Sequence, residues 1–217
     1  WNVKAFTTPD QIASYSVNNK NYLVTANEGD EKEYTPLNER TTVSAVKLDS
    51  ISFPNSKMIK EEHALGRLRI TNLHGDKDGD GDYDELYMVG PRSFSIYDLS
   101  NNTMVFNSGD AFELITSQNT TFGKLFNADN EASNTLKARS RSKGPEPEGV
   151  TVSTIGEKTY AFITLERIGG VMVYDITDPS NAIFVDYKNT RNATAFGGDN
   201  GPEGITYIKP ENSPNGT

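Results

Sequence analysis

Apolar positions along the chain fall in short runs that alternate with polar ones, the period of a half-buried strand rather than of a helix. Such runs cover residues 12–17, 22–25, 43–48, 65–70, 86–89, 94–99 and 104–106, and then 150–155, 160–165, 171–176, 183–187 and 205–208. Turn clusters such as Asn18-Asn19-Lys20-Asn21 and Gly156-Glu157-Lys158 separate them. One stretch, 108–117, reads as a helix: Phe112, Leu114 and Ile115 give it a short apolar face, and Ser108 or Asp110 can cap it. Residues 118–146 are poor in apolar side chains and rich in Asn, Ser, Lys and Arg. With the helix they form a long excursion, about 108–146, between strand groups rather than a linker between domains.

The strand pattern repeats. Pro9-Asp10-Gln11-Ile12 returns 138 positions later as Pro147-Glu148-Gly149-Val150, and without a gap Tyr22 falls on Tyr160, Val24 on Phe162 and Glu28 on Glu166. A third copy opens at Pro202-Glu203-Gly204-Ile205. A second theme, Phe94-Ser95-Ile96-Tyr97-Asp98, matches Val171-Met172-Val173-Tyr174-Asp175. Groups of four short strands recurring at this spacing predict a β-propeller of four-stranded antiparallel blades. The all-β chain, residues 1–217, then holds about three blades and the first strand of a fourth, an incomplete ring. An open sandwich built from the same strands is the competing fold, but it leaves the ungapped repeat without a cause.

Composition narrows the chemistry. The 217 residues include no cysteine, which excludes a disulfide framework, a thiolate metal site and a cysteine nucleophile. A net charge of -9 argues against a partner built on a phosphate backbone and favours cations. No apolar run approaches the ~20 residues of a membrane span. The opening Trp1-Asn2-Val3-Lys4 is not a basic and apolar leader, so the sequence reads as a mature chain or an excised piece.

The sharpest motif is Asp76-Lys77-Asp78-Gly79-Asp80-Gly81-Asp82-Tyr83-Asp84. Calcium takes six to eight hard oxygen ligands, and alternating Asp in a tight loop converges such oxygens. Asp76, Asp78, Asp80, Asp82 and Asp84 are therefore the expected calcium ligands. Tyr87 stands where a helix–loop–helix calcium site carries Glu, and strands flank the loop. The loop looks like the strand–loop–strand calcium loop of integrin-type propellers, with Asp82 donating its backbone carbonyl. Calcium is expected to order a hairpin over 70–89.

A second constellation comes from the repeat itself. Asp10, Glu148 and Glu203 occupy equivalent places at the start of a strand, and Glu28 and Glu166 match at the end of the next. In a propeller these positions face one channel, where carboxylates form a metal site or a polar lining. Equally, Pro-Glu-Gly can be a turn whose Glu caps backbone N–H groups. Arg167 beside Glu166 can reach a channel phosphate or pair with a carboxylate. The basic run Arg139-Ser140-Arg141-Ser142-Lys143 reads as a solvated loop, and His74 as a turn residue; no Ser-His-Asp spacing and no phosphate-binding Gly-Lys-Ser/Thr loop are present. Sequons at Asn101, Asn119, Asn192 and Asn215 all fall in expected turns and favour a secreted route.

Residues 9–15, 22–30, 65–68, 75–86, 92–96, 143–150 and 165–171 resemble the choice-of-anchor I family. The resemblance implies an extracellular or surface-anchored β-propeller within a longer polypeptide, whose later blades lie past Thr217. It also implies kinship with propellers labelled alkaline-phosphatase-like and phytase- or esterase-like. The expected function is a calcium-binding module for interaction, adhesion or matrix assembly, with a protein or matrix partner or the missing blades packed against it. A metal-dependent phosphoesterase with a carboxylate-lined channel is the second expectation.

Overall fold

The structure, a computed structural model, describes residues 3–131 and 133–215. It is all-β, 35% strand and 8% helix. The expected alternating runs become two four-stranded antiparallel sheets, each a meander in chain order. Sheet A holds β1 (Gln11–Val17), β2 (Lys20–Asn27), β3 (Ser93–Asp98) and β4 (Thr103–Asn107). Sheet B holds β5 (Pro147–Ile155), β6 (Lys158–Leu165), β7 (Val171–Asp175) and β8 (Ile183–Lys188).

The sequence repeat is a repeat of register. Ile12 faces Thr25 in sheet A, and Val150 faces Ile163 in sheet B. Tyr22 pairs with Asp98 as Tyr160 pairs with Asp175. Both first hairpins close over two residues. Asn18 and Asn19 take φ 52° and 60° in one, and Gly156 takes φ 63° in the other, the left-handed backbone that tight hairpin turns require. Even the edge chemistry is copied: Lys20 reaches Asp98 at 3.5 Å and Lys158 reaches Asp175 at 2.8 Å.

The two sheets stack. Tyr22, Val24, Ala26, Phe94 and Ile96 of sheet A share one buried cluster with Ala161, Ile163, Leu165, Met172 and Tyr174 of sheet B. The Phe94 and Tyr174 rings meet at 4.8 Å. Val24 is buried there but its repeat mate Phe162 is not; the neighbouring Ala161 and Ile163 are. The sheets therefore pack front to back, each offering a different face. The helix forms at α1 (Ala111–Gln118), with Asp110 at its N-cap making no side-chain cap bond. Ser108 is not its cap: its hydroxyl accepts the Phe94 N–H at 3.0 Å. Phe112 of α1, with Leu125 and Ala128 of the excursion, completes the core.

Two four-stranded sheets form where the strand count predicts three. Runs 43–48 and 65–70 build no blade. They shrink to a ladder of Arg40–Thr42 with Arg69–Thr71, an isolated Leu48–Tyr83 bridge and turns. Their apolar residues Val43, Val46, Leu48 and Ile70 form a separate small core with Phe53 and Leu86. Alternation buries side chains in a compact turn cluster as well as in a strand, so the pattern alone does not separate the two. Residues 205–208 join no ladder among the described residues. The strands around the Asp-rich loop are not a hairpin either: Leu86–Met88 pairs in parallel with Val3–Ala5, while Arg69–Thr71 pairs with Arg40–Thr42. No described helix is long and apolar enough to cross a membrane.

Candidate functional site

The open ends of the first two hairpins meet. Asp10 precedes β1, Glu28 follows β2, Glu148 lies at the start of β5 and Glu166 follows β6. The Gln11 side-chain oxygen accepts the Val150 N–H at 2.7 Å and locks the hairpins together. Carboxylate oxygens of Asp10, Glu28 and Glu148 come within 4.8 Å of one another, and so do those of Glu28, Glu146 and Glu166. Four of the five expected channel carboxylates are thus one cluster. Glu203 is not in it: its side chain is exposed, and only its carbonyl engages, accepting from Thr164 Oγ1 at 3.2 Å. A Cβ on Gly149 would sit 2.3 Å from that carbonyl, so the glycine of Pro-Glu-Gly admits the third copy's backbone.

The run at 139–143 is not a solvated loop. Lys143 is buried and bonds Glu28, and it lies 3.3 Å from Glu146. Arg139 reaches Glu146 Oε1 at 2.6 Å, and Arg167 reaches Glu146 Oε2 at 3.0 Å and Glu166 at 3.2 Å. Asn130 donates to Glu166 at 3.0 Å. Fully buried Glu146 is therefore the hub of a clasp of three cations and three carboxylates. Sequence reasoning passed over it because it closes an aperiodic excursion. Its signal was Lys143 three residues before and Arg139 seven before.

Burial drives the titration of this cluster. It pushes the Glu28 carboxyl up to about 7, against the pull of Lys143. It pushes Glu148 up to about 8, helped by the charges of Glu28, Asp10 and Glu166. Burial raises Glu166 as well, opposed by Arg167. At Glu146 burial acts the same way, but Lys143, Arg139 and Arg167 overcome it and hold the carboxyl below its ordinary value. One buried oxygen of half-buried Glu148 has no hydrogen-bond partner.

The Asp-rich loop is a separate site. Carboxylate oxygens of Asp76, Asp78 and Asp84 converge within 4.8 Å. The loop's own amides shape it: Gly79 and Gly81 donate to Asp76 at 2.7 and 3.0 Å, and Lys77 N–H donates to Asp84 at 2.8 Å. Gly79 and Gly81 take φ 80° and 92°. The Asp80 and Asp82 carboxylates stand apart from that trio: Asp80 accepts the Asp82 N–H at 3.0 Å, and Asp82 pairs with Lys47 at 2.8 Å. Lys77 turns to Glu85 at 2.7 Å. Asp76, Asp78 and Asp84 make no ion pair among the described residues.

Of the sequons, Asn101 and Asn192 are exposed, Asn119 is half-buried after α1, and Asn215 is exposed, with the rest of its sequon outside the described residues. The Asn101, Asn119 and Asn192 side chains each accept backbone N–H groups two residues on. His74 packs its ring against Phe6 at 5.1 Å and touches Tyr87 at 6.2 Å.

Gigasin-3a of Magallana gigas is 30% identical over 173 residues, covering 73% of this chain and 60% of that protein. The mesenchyme-specific cell surface glycoprotein of Strongylocentrotus purpuratus is 24% identical over 212 residues, covering 83% of this chain and 27% of that protein. The chain thus spans 60% and 27% of the lengths of these two relatives. No solved structure matches it significantly. The family model of the choice-of-anchor I domain matches residues 1–179, and the chain belongs to that family.

Proposed function

We propose that the chain is a calcium-binding module of β-propeller type, extracellular or on a cell surface, that serves interaction, adhesion or matrix assembly. The observation that carries the reading is the trio Asp76, Asp78 and Asp84, whose oxygens converge within 4.8 Å and make no ion pair with a described side chain. Three carboxylates this close repel one another, and a calcium ion is the hard cation that such oxygens coordinate. Asp80 and the Asp82 carbonyl can add to the ligand set. Propeller geometry is supported by the front-to-back stacking of two sheets in one register, which extends by adding further sheets on either side. A surface location is supported by the likeness to the mesenchyme-specific cell surface glycoprotein of Strongylocentrotus purpuratus and by the exposed sequons at Asn101 and Asn192.

The test is thermal melting with calcium and then with chelator, on the wild type and on Asp78→Ala. Calcium at 100 times its Kd contributes about 2.7 kcal/mol. For a chain of this length that raises the Tm by about 5–10 °C. Asp78→Ala loses the response. A Tm indifferent to chelator refutes the reading.

A metal-dependent phosphoesterase is the second reading, favoured by the convergence of Asp10, Glu28 and Glu148 beside Lys143. Calcium-dependent turnover of a chromogenic phosphate ester, lost in Glu148→Ala and kept in Glu203→Ala, would replace the interaction reading with this one.

A further inference from the structure

One cleft gathers positive charge on a chain whose net charge is -9. Its volume is about 320 Å³. Ala64, Leu65 and Leu68 supply apolar wall, Arg67, Lys137 and Arg141 supply three cations, and Glu62 supplies the one carboxylate of the lining. The two halves come from distant segments that a backbone bond ties together, Arg69 N–H to the Arg141 carbonyl at 2.8 Å. Lys137 is fixed by its own N–H on the Phe126 carbonyl at 2.9 Å.

These cations are poorly neutralised. Arg67 faces Glu62 at 3.4 Å, both side chains largely exposed. Lys137 and Arg141 have no ion pair and no side-chain hydrogen bond among the described residues. Behind them Arg139 is committed to Glu146. Burial lowers the pKa of neighbouring Arg69, with repulsion from Arg40, Arg139 and Arg141 adding to it and Glu31 opposing it. At physiological salt, charges beyond about 8 Å are screened, so the local cations decide and not the acidic remainder of the chain.

We propose that this cleft binds a sulfate or phosphate ester carried on a saccharide. The guanidinium groups of Arg67 and Arg141 and the Lys137 ammonium match the oxyanion, and charge-assisted bonds to it are the strong ones. The apolar wall takes the C–H face of a sugar ring, and Ser140 offers a hydroxyl to the ring's own hydroxyls. The volume lies at the small-ligand end of binding pockets, about 300–1,000 Å³. No aromatic ring lines the cleft, so a nucleobase has nothing to stack on. A long polyanion would also meet repulsion from the acidic surface beyond the cleft. The cleft shares no residue with the 76–84 loop or with the Glu146 hub.

The experiment is calorimetric titration of the 217-residue chain with four probes: a sulfated disaccharide, the same disaccharide phosphorylated, its unsubstituted parent, and sodium sulfate. At least one ester binds at one site, about tenfold or more tighter than the parent and than inorganic sulfate. Preference between the esters assigns the source of the oxyanion. Lys137→Ala and Arg141→Ala each weaken binding about tenfold without moving the Tm, as fits side chains free of partners. Lys188→Ala, a solvated lysine outside the cleft, changes nothing. Esters that bind no better than the parent, sulfate that binds as well as either ester, or affinity unchanged in both cleft variants overturns the proposal. Each of those results leaves the calcium reading standing, because the chelator melt reports a different site.

Discussion

Glu146→Gln is the sharpest perturbation of the clasp, because it keeps the side-chain shape and removes only the charge. Glu146 is fully buried and holds Arg139 at 2.6 Å, Arg167 at 3.0 Å and Lys143 at 3.3 Å. Glu146 is the carboxylate that all three cations share, and it is the one they hold below its ordinary value, so neutralising it removes the common counter-charge in a desolvated place. Breaking a buried pair from one side costs about 3–5 kcal/mol, several times the value of an exposed pair. Against a total stability of about 5–15 kcal/mol that is a large share. At about 2–4 °C per kcal/mol for a chain of this length, the Tm falls by about 6–20 °C. Urea denaturation followed by circular dichroism measures the loss directly. The same substitution in a Lys143→Met background costs less, because one of the stranded cations is already gone. A loss below about 1 kcal/mol, the value of a solvated pair such as Arg67–Glu62, would show that the clasp is open to water and the reasoning wrong.

Two further outcomes follow from the repeat and the core. Hydrogen bonds from Lys158 and Thr177 hold Asp175 at about 2, and those from Ser100, with Lys20 nearby, lower its repeat mate Asp98. Both pKa values are depressed on folding, so their contribution is present above about pH 4 and is lost as the pH falls towards 2; urea midpoints across that window fall less steeply in the Asp98→Asn/Asp175→Asn double variant. Ile163→Ala, in the seam between the sheets, costs about 2–5 kcal/mol, whereas Ile183→Ala at the exposed edge of β8 stays within about 0.5 kcal/mol; equal losses at the two positions would mean that the sheets do not stack as described.

The strands of both sheets were legible because each hairpin pairs an alternating run with a turn of Asn or Gly, and the copied register of Tyr22 and Tyr160 follows from the ungapped repeat. The convergence of Asp10, Glu28, Glu148 and Glu166 was legible for the same reason: equivalent positions in stacked sheets share one end. What the pattern hid was aperiodic. Runs 43–48 and 65–70 alternate like strands yet close a small separate core, because burial and not pairing decides where their side chains go. Lys143 and Glu146 lie in polar excursion sequence, where a cation looks solvated until a carboxylate from another element is placed against it. Glu203 carried the repeat's sequence but not its role, since only its backbone reaches sheet B.

Copying a hairpin copies its end groups, and that sets where a metal can sit. Asp10 and Glu28 recur as Glu148 and Glu166, and the stacking of the sheets brings the two acidic pairs together. Partly buried carboxylates this close cannot all ionise without compensation. The segment between the copies supplies it, through Arg139 and Lys143, and Arg167 follows the second Glu where the first copy has Gly29. A cation entering among Asp10, Glu28 and Glu148 would compete for Glu28 with the buried Lys143 ammonium already bonded to it. The loop at 76–84 imposes no such exchange. Its own Lys77 turns to Glu85 and the nearby Lys47 to Asp82, while loop amides donate to Asp76 and Asp84 and none of Asp76, Asp78 and Asp84 makes an ion pair among the described residues. The same physics that makes the interior cluster a clasp therefore favours the loop as the site for the proposed calcium: there an ion would relieve a repulsion that no described side chain relieves.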